Sequence, residues 1–180
     1  MANEQKAVEQ WLDDVVIGLN LCPFAAKPRR NNQIRIVISD ADTPENVLNT
    51  LYDELKLLES TAPKEIETSL IVLPHILADF DDYNQFLDSV DGLLIEFNWE
   101  GVFQVASFHP DYCFADTPAD SVENLTNRSP YPILHLIREA SMEKALEHMV
   151  APNEVFERNI QTMNNLTADE LATLFPYLKV

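Results

Sequence analysis

The sequence predicts an α/β fold: a small, mostly parallel sheet of three to four strands, joined by helical crossovers and followed by extra C-terminal helices. Three observations carry that expectation. Helical and strand-like segments alternate over the first two-thirds of the chain, the order that builds βαβ units with right-handed connections. The second strand segment is apolar throughout, as strands covered on both faces are. The last third reads as helix after helix. At 180 residues the chain suffices for one sizeable core, and a single domain, 1–180, is expected.

Taken in order, Asn3 to Asn20 carries Val8, Trp11, Leu12, Val15, Val16 and Leu19 at helical spacing, and Cys22-Pro23 closes it. A basic loop, 24–32, precedes the first strand, Ile34 to Ile38, which is rich in β-branched residues. Asp42-Thr43-Pro44-Glu45 supplies a capping side chain, a first-turn proline and an acid near the positive dipole end. The helix that follows buries Val47, Leu48, Leu51, Leu55 and Leu58. The second strand is Ser69 to Leu73. Asp79 opens a helix carrying Phe80, Tyr83, Phe86, Leu87, Val90, Leu94 and Phe97, and the third strand is Val102 to Phe108. About twenty residues without regular pattern follow, in which a fourth short strand is expected near 112–116. A fourth helix is predicted from Tyr131 to Met149, then two short ones near 153–164 and 168–178, the last with a capping box at Thr167 and Glu170.

Thirty acidic residues stand against twelve basic ones, a net charge of −18. That field repels phosphate backbones and argues against nucleic-acid binding. No apolar run approaches the roughly 20 residues of a membrane helix, and the N-terminus lacks the features of a signal peptide. A cytoplasmic location without membrane association is expected. With three glycines, Gly18, Gly92 and Gly101, a glycine-rich phosphate loop has no place, so dinucleotide and P-loop chemistry are disfavoured and no cofactor is implied.

The bases that remain are concentrated. Lys27, Arg29, Arg30 and Arg35 share one window, and Arg128 and Arg138 flank another, an arrangement that focuses the field on an anionic ligand. In open α/β sheets ligands gather beyond the carboxyl ends of the strands, which here are Asp40, His75 and His109-Pro110-Asp111. His109 beside Asp111 suits acid/base work near neutral pH. Thr126-Asn127-Arg128-Ser129-Pro130 reads as a helix N-terminus, whose free N–H groups and positive dipole end favour anions. His135 and Arg138, three apart, share a face of that helix. Cys22 is a possible nucleophile, with nearby bases to stabilise a thiolate; a buried structural cysteine is the competing reading. A divalent metal is a weaker use of the loop, since His109, Asp111, Asp116, Asp120, His135 and Glu139 match no ligand spacing. The competing reading of His75 and His109 is that each caps a strand and bonds to a carbonyl.

N-L-C-P-F-A (20–25), S-F-H-P-D-Y (107–112) and T-N-R-S-P-Y-P-I-L-H-L-I-R-E (126–139) together resemble a bacterial family, with plant relatives, known as domain of unknown function 1415. The resemblance spans essentially the whole chain and implies no established activity or cofactor. It would place that family's motifs on Cys22, His109, Asp111, Asn127, Arg128, Ser129, His135 and Arg138, among others.

The leading expectation is an enzyme acting on a small anionic metabolite by hydrolysis or group transfer. His109, Asp111 and Cys22 are the catalytic candidates. Asn127, Arg128, Ser129, His135, Arg138 and Arg30 are the substrate-binding candidates. The alternatives are a non-catalytic anion-binding or regulatory module, and a protein-interaction scaffold that docks through the long loop.

Overall fold

In the computed structural model, residues 2–147 and 154–178 are described. The first helix, α1 (Ala2–Trp11), runs on into a π-helical turn, Leu12–Ile17. The basic segment, expected as loop, contains a short helix, α2 (Ala26–Arg30). Then follow β1 (Ile34–Ile38), α3 (Pro44–Ser60), β2 (Thr68–Val72), α4 (Phe80–Glu96) and β3 (Phe103–Phe108), within a residue or two of where the sequence places them. The Thr43 hydroxyl accepts from Asn46 N–H at the start of α3, and the Asp79 carboxylate accepts from the N–H groups of Asp81 and Asp82 at the start of α4.

The sequence reading fails at the fourth helix. Residues Ile133–Arg138 form a strand, β4, and only Glu139–Leu146 is helical (α5); the expected terminus at Met149 lies outside the described residues. The strand expected at 112–116 is not formed; a 3₁₀ helix, Val122–Asn127, is the regular element of that loop. Ser129 and Tyr131 each precede a proline, which biases both toward extended backbone. Downstream, the run is apolar on both sides because it is buried on both sides: Ile133, Leu134 and Leu136 are fully buried. The chain closes with α6 (Val155–Asn164) and α7 (Ala168–Leu174), the latter with the expected capping box.

The four strands lie in the order β1-β2-β4-β3. β1 and β2 are parallel, while β4 runs antiparallel to both β2 and β3. The α/β class therefore stands, but the sheet is mixed and not mostly parallel. β1, β2 and β3 do point the same way, with β4 inserted between the last two. Packed on one face are α3 and α4, through Leu51, Leu55, Leu58, Tyr83, Val90, Leu134 and Leu136. Packed on the other are α1, its π-helical turn and the C-terminal helices, through Trp11, Val15, Leu70, Ile133, Met163 and Phe175. Among the described residues no helix is long and apolar enough to cross a membrane.

Candidate functional site

β3 ends at Phe108, and the chain turns at His109-Pro110 into the segment that leads to β4. That segment is laced to the strand end by main-chain bonds. His109 N–H donates to the Asn127 carbonyl (3.2 Å), and Ser129 N–H donates to the His109 carbonyl (3.4 Å). The Asn127 amide donates to the Ser107 carbonyl (3.2 Å), and the Ser129 hydroxyl to the Tyr131 carbonyl (2.6 Å). Asn124, fully buried, shapes the interior of the loop: its side chain accepts from Phe114 N–H (3.0 Å) and donates to the Pro118 carbonyl (2.9 Å). These polar groups are satisfied within the segment, as the buried ones among them, at Asn124 and Ser129, require.

His109 is wholly buried, between the rings of Phe80 (centroids 5.3 Å) and Tyr83 (5.1 Å) of α4. Its Nδ1 accepts from Asp111 N–H (3.0 Å), so the proton of the neutral ring sits on Nε2, which donates to the Leu77 carbonyl (3.1 Å). Burial lowers the imidazole pKa, against the opposing pull of the Leu77 bond and the carboxylates of Asp111 and Asp79. Asp111 thus orients the ring through its main-chain N–H, while its own side chain lies in an exposed residue. Leu77 has φ +58°, a left-handed conformation rarely adopted outside glycine, asparagine and aspartate.

Arg128 clasps the loop. Its Nε donates to the Tyr112 carbonyl (3.3 Å) and its Nη2 to the Ala119 carbonyl (2.8 Å). Its own carbonyl accepts from Trp11 Nε1 (3.0 Å) and the Tyr177 hydroxyl (3.3 Å). The motif is thereby anchored at once to the first helix and to the C-terminal segment.

The structure therefore brings His109, Asp111, Asn127, Arg128 and Ser129 to one rim. It places the other candidates elsewhere. Arg138 pairs with Phe103, the first residue of β3, so it lies at the opposite rim, roughly 17 Å along the strand. Its guanidinium is bonded to the carbonyls of Leu58, Thr61 and Ile66. Arg30 ends α2, four residues ahead of β1, and is exposed at that same far rim. His135 is in mid-strand opposite Leu70 and Ala106; its Nε2–H donates to the Thr68 hydroxyl (2.8 Å), which in turn donates to the Leu136 carbonyl. Burial pushes its pKa down to about 4. Cys22 packs with the α1-side cluster, across the sheet from the aromatic sandwich of His109, and burial raises its thiol pKa, which keeps it protonated and a poor nucleophile. The helix N-terminus expected to hold an anion at Ser129-Pro130 is absent, because the segment enters a strand.

An open cleft of about 420 Å³ lies between the loop and α6, lined by Pro118, Asp120, Ser121, Val122, Glu123, Ile160 and Asn164. Neither His109 nor Arg128 lines it, and its two carboxylates suit no anion. Among the described residues, no three His, Cys, Asp or Glu side chains converge as a metal-ligand set. Sequence reasoning passed over Leu77, Asn124 and Tyr177, whose roles depend on partners distant in the chain; the extended bias of Ser129 and Tyr131 was the one local signal available for the strand.

No curated protein and no solved structure matches the chain. A family model does match, described as Protein of unknown function (DUF1415), over residues 3–173. Since that match covers nearly the whole chain, and takes in all three motifs, the protein belongs to the DUF1415 family.

Proposed function

We propose that the protein binds a small anionic metabolite, a carboxylate or a phosphate, where β3 ends, with Arg128 as the anchor. The state of that guanidinium carries the reading. Arg29 and Arg35 are each met by a carboxylate, Asp13 at 2.8 Å and Glu54 at 2.9 Å. Arg128 is met only by neutral carbonyls, and its Nη1 has no hydrogen-bond partner among the described residues. In a chain with 30 acidic residues, this part-exposed guanidinium has no carboxylate bonded to it and is aimed by two fixed bonds. An oriented guanidinium with spare N–H groups takes carboxylate or phosphate in forked geometry. Asn127 and Ser129 support the reading by fixing the main chain around Arg128.

A second reading places catalysis, hydrolysis or group transfer, on the same ligand with His109 as acid/base. One observation favours it: a neutral imidazole is held within the same laced rim. It requires the ring to leave its bond to Leu77.

The test is a thermal-shift titration of wild type and Arg128→Gln with inorganic phosphate and with mono- and dicarboxylates. At a hundred times Kd, a ligand stabilises by about 2.7 kcal/mol, or roughly 5–10 °C for a chain of this size. Wild type is expected to respond to at least one class and the variant to none. An equal response in both, or no response in wild type to any of these anions, would overturn the proposal.

A further inference from the structure

We propose that residues 74–79, between β2 and α4, form a latched gate over the rim, with His109 as its bolt. The inference stands apart from what binds at Arg128. Among the described residues, five other than glycine have positive φ: Asn20, Asn32, Asn98, Asp116 and Leu77. Asparagine and aspartate tolerate that conformation through their short polar side chains; Leu77 has no such compensation, so something outside the residue holds it there. Ile76 and Leu77 rest partly buried against the α3–α4 core, and the polar restraint is the Leu77 carbonyl accepting from His109 Nε2. Among the described residues no other side-chain hydrogen bond holds 74–78.

Both ends of the segment are built to stay put while its middle moves. Leu73 N–H is bonded to the Pro132 carbonyl, which fixes the end of β2. Asp79 caps α4 with its own carboxylate, so that helix keeps its start without residues 75–78. Behind the segment lies the sandwich of Phe80, Tyr83 and His109, and Phe80 touches Tyr112 (centroids 5.2 Å). The Tyr112 carbonyl is the one that Arg128 holds. Opening the segment therefore frees Nε2 of the imidazole next to the charged clasp, and turns a structural histidine into a chemically available one.

The bolt is sensitive to acid. Nδ1 accepts from Asp111 N–H, so a proton arriving there sets two donors against each other. The groups that face the ring are Asp111 beside it in the chain, Asp79 and Tyr83 from α4, and Tyr112. Tyr83 donates its hydroxyl proton to the Ile133 carbonyl (2.7 Å), and burial raises its pKa, so it stays neutral. The Leu77 carbonyl and the two carboxylates favour the imidazolium, but burial outweighs them, so the charged ring is better accommodated where the segment has lifted and water reaches it. Acidification below the usual imidazole range thus favours the open gate.

Limited proteolysis decides the matter, read by mass spectrometry as the rate of cleavage within 74–80, with α3 as an internal reference. His109→Phe preserves the aromatic stack and removes both bonds. It is expected to speed cleavage in 74–80 roughly tenfold or more, the change expected from losing one to two neutral hydrogen bonds, and to leave α3 unchanged. Wild type at pH 5.5, corrected for the protease's own pH dependence on an unstructured peptide, should show the same selective gain over pH 7.5, and His75→Gln should not alter it. The proposal is overturned if wild type shows no selective gain at pH 5.5, or if His109→Phe folds and leaves cleavage in 74–80 at the wild-type rate.

Discussion

Replacing Arg138 with methionine is expected to destabilise the fold by about 3 kcal/mol while leaving any ligand response intact. The Arg138 guanidinium reaches three main-chain carbonyls, Leu58 and Thr61 at 2.7 Å each and Ile66 at 3.0 Å, and sits over the Phe103 ring at 5.8 Å. Leu58 lies in the last turn of α3, where its carbonyl also accepts from Thr61 N–H (3.3 Å), so one cation reinforces the end of that helix and ties the 61–66 connection to β4. Hydrogen bonds to charged groups contribute roughly 1.5–3 kcal/mol each. The freed carbonyls at this partly exposed site regain water, and methionine keeps most of the stem packing, which brings the net effect down to about 3 kcal/mol. Urea unfolding at pH 7.5, with midpoint and slope fitted together, measures it. A loss under about 1 kcal/mol would refute the structural assignment. So would an unchanged stability accompanied by an abolished ligand shift, which would return Arg138 to the binding site.

Stability is expected to be level above about pH 6.5 and to fall toward pH 4. His109 and His135 both have folded-state pKa values below the ordinary one, so on acidification the unfolded chain takes up the proton first. Each such histidine adds a slope of up to about 1.4 kcal/mol per pH unit, and His135→Gln should remove one proton's worth of slope between pH 5 and 6.5; an unaltered profile would count against its neutral state. Gly18→Ala should destabilise, although alanine is ordinarily better than glycine in a helix by about 1 kcal/mol. A Cβ at Gly18 would stand 2.2 Å from the Asp14 carbonyl oxygen, so the end of the π-helical turn must shift. A more stable alanine variant in urea would contradict that contact.

Three strands, the long helices and the caps at Thr43, Asp79 and Thr167 were legible in the sequence because their signals are local: β-branched runs, a 3.6-residue stripe, a side chain next to the N–H groups that it serves. The central strand was not. I-L-H-L-I-R is apolar on both faces, and such a run has no alternation to separate it from a buried helix. Ser-Pro ahead of it looked like a helix entry, while the two pre-proline residues argued for extended chain. That misreading moved the site as well. A helix would have put His135 and Arg138 beside Arg128, whereas a strand carries Arg138 to the far rim. The place of His109 and Asp111 was readable from the rule that ligands collect at strand ends, whereas Asn127, Arg128 and Ser129 read as the mouth of a helix that does not form. How these groups are occupied was not readable, since the Leu77, Tyr112 and Ala119 carbonyls that engage them have no signature in a one-letter string.

The insertion of β4 has a consequence for biosynthesis. β2 and β3 lie two strand spacings apart, about 10 Å, with the slot between them filled by residues made later than either. While the first 130 residues emerge from the ribosome, both inner borders of that slot stay unpaired and open to wrong partners. The sheet therefore closes only once 133–138 thread into its middle, a late and long-range event of the kind that slows folding. A chain that stalls before Ile133 is left with the β1–β2 pair and a lone β3 with nothing to join them, a target for quality control.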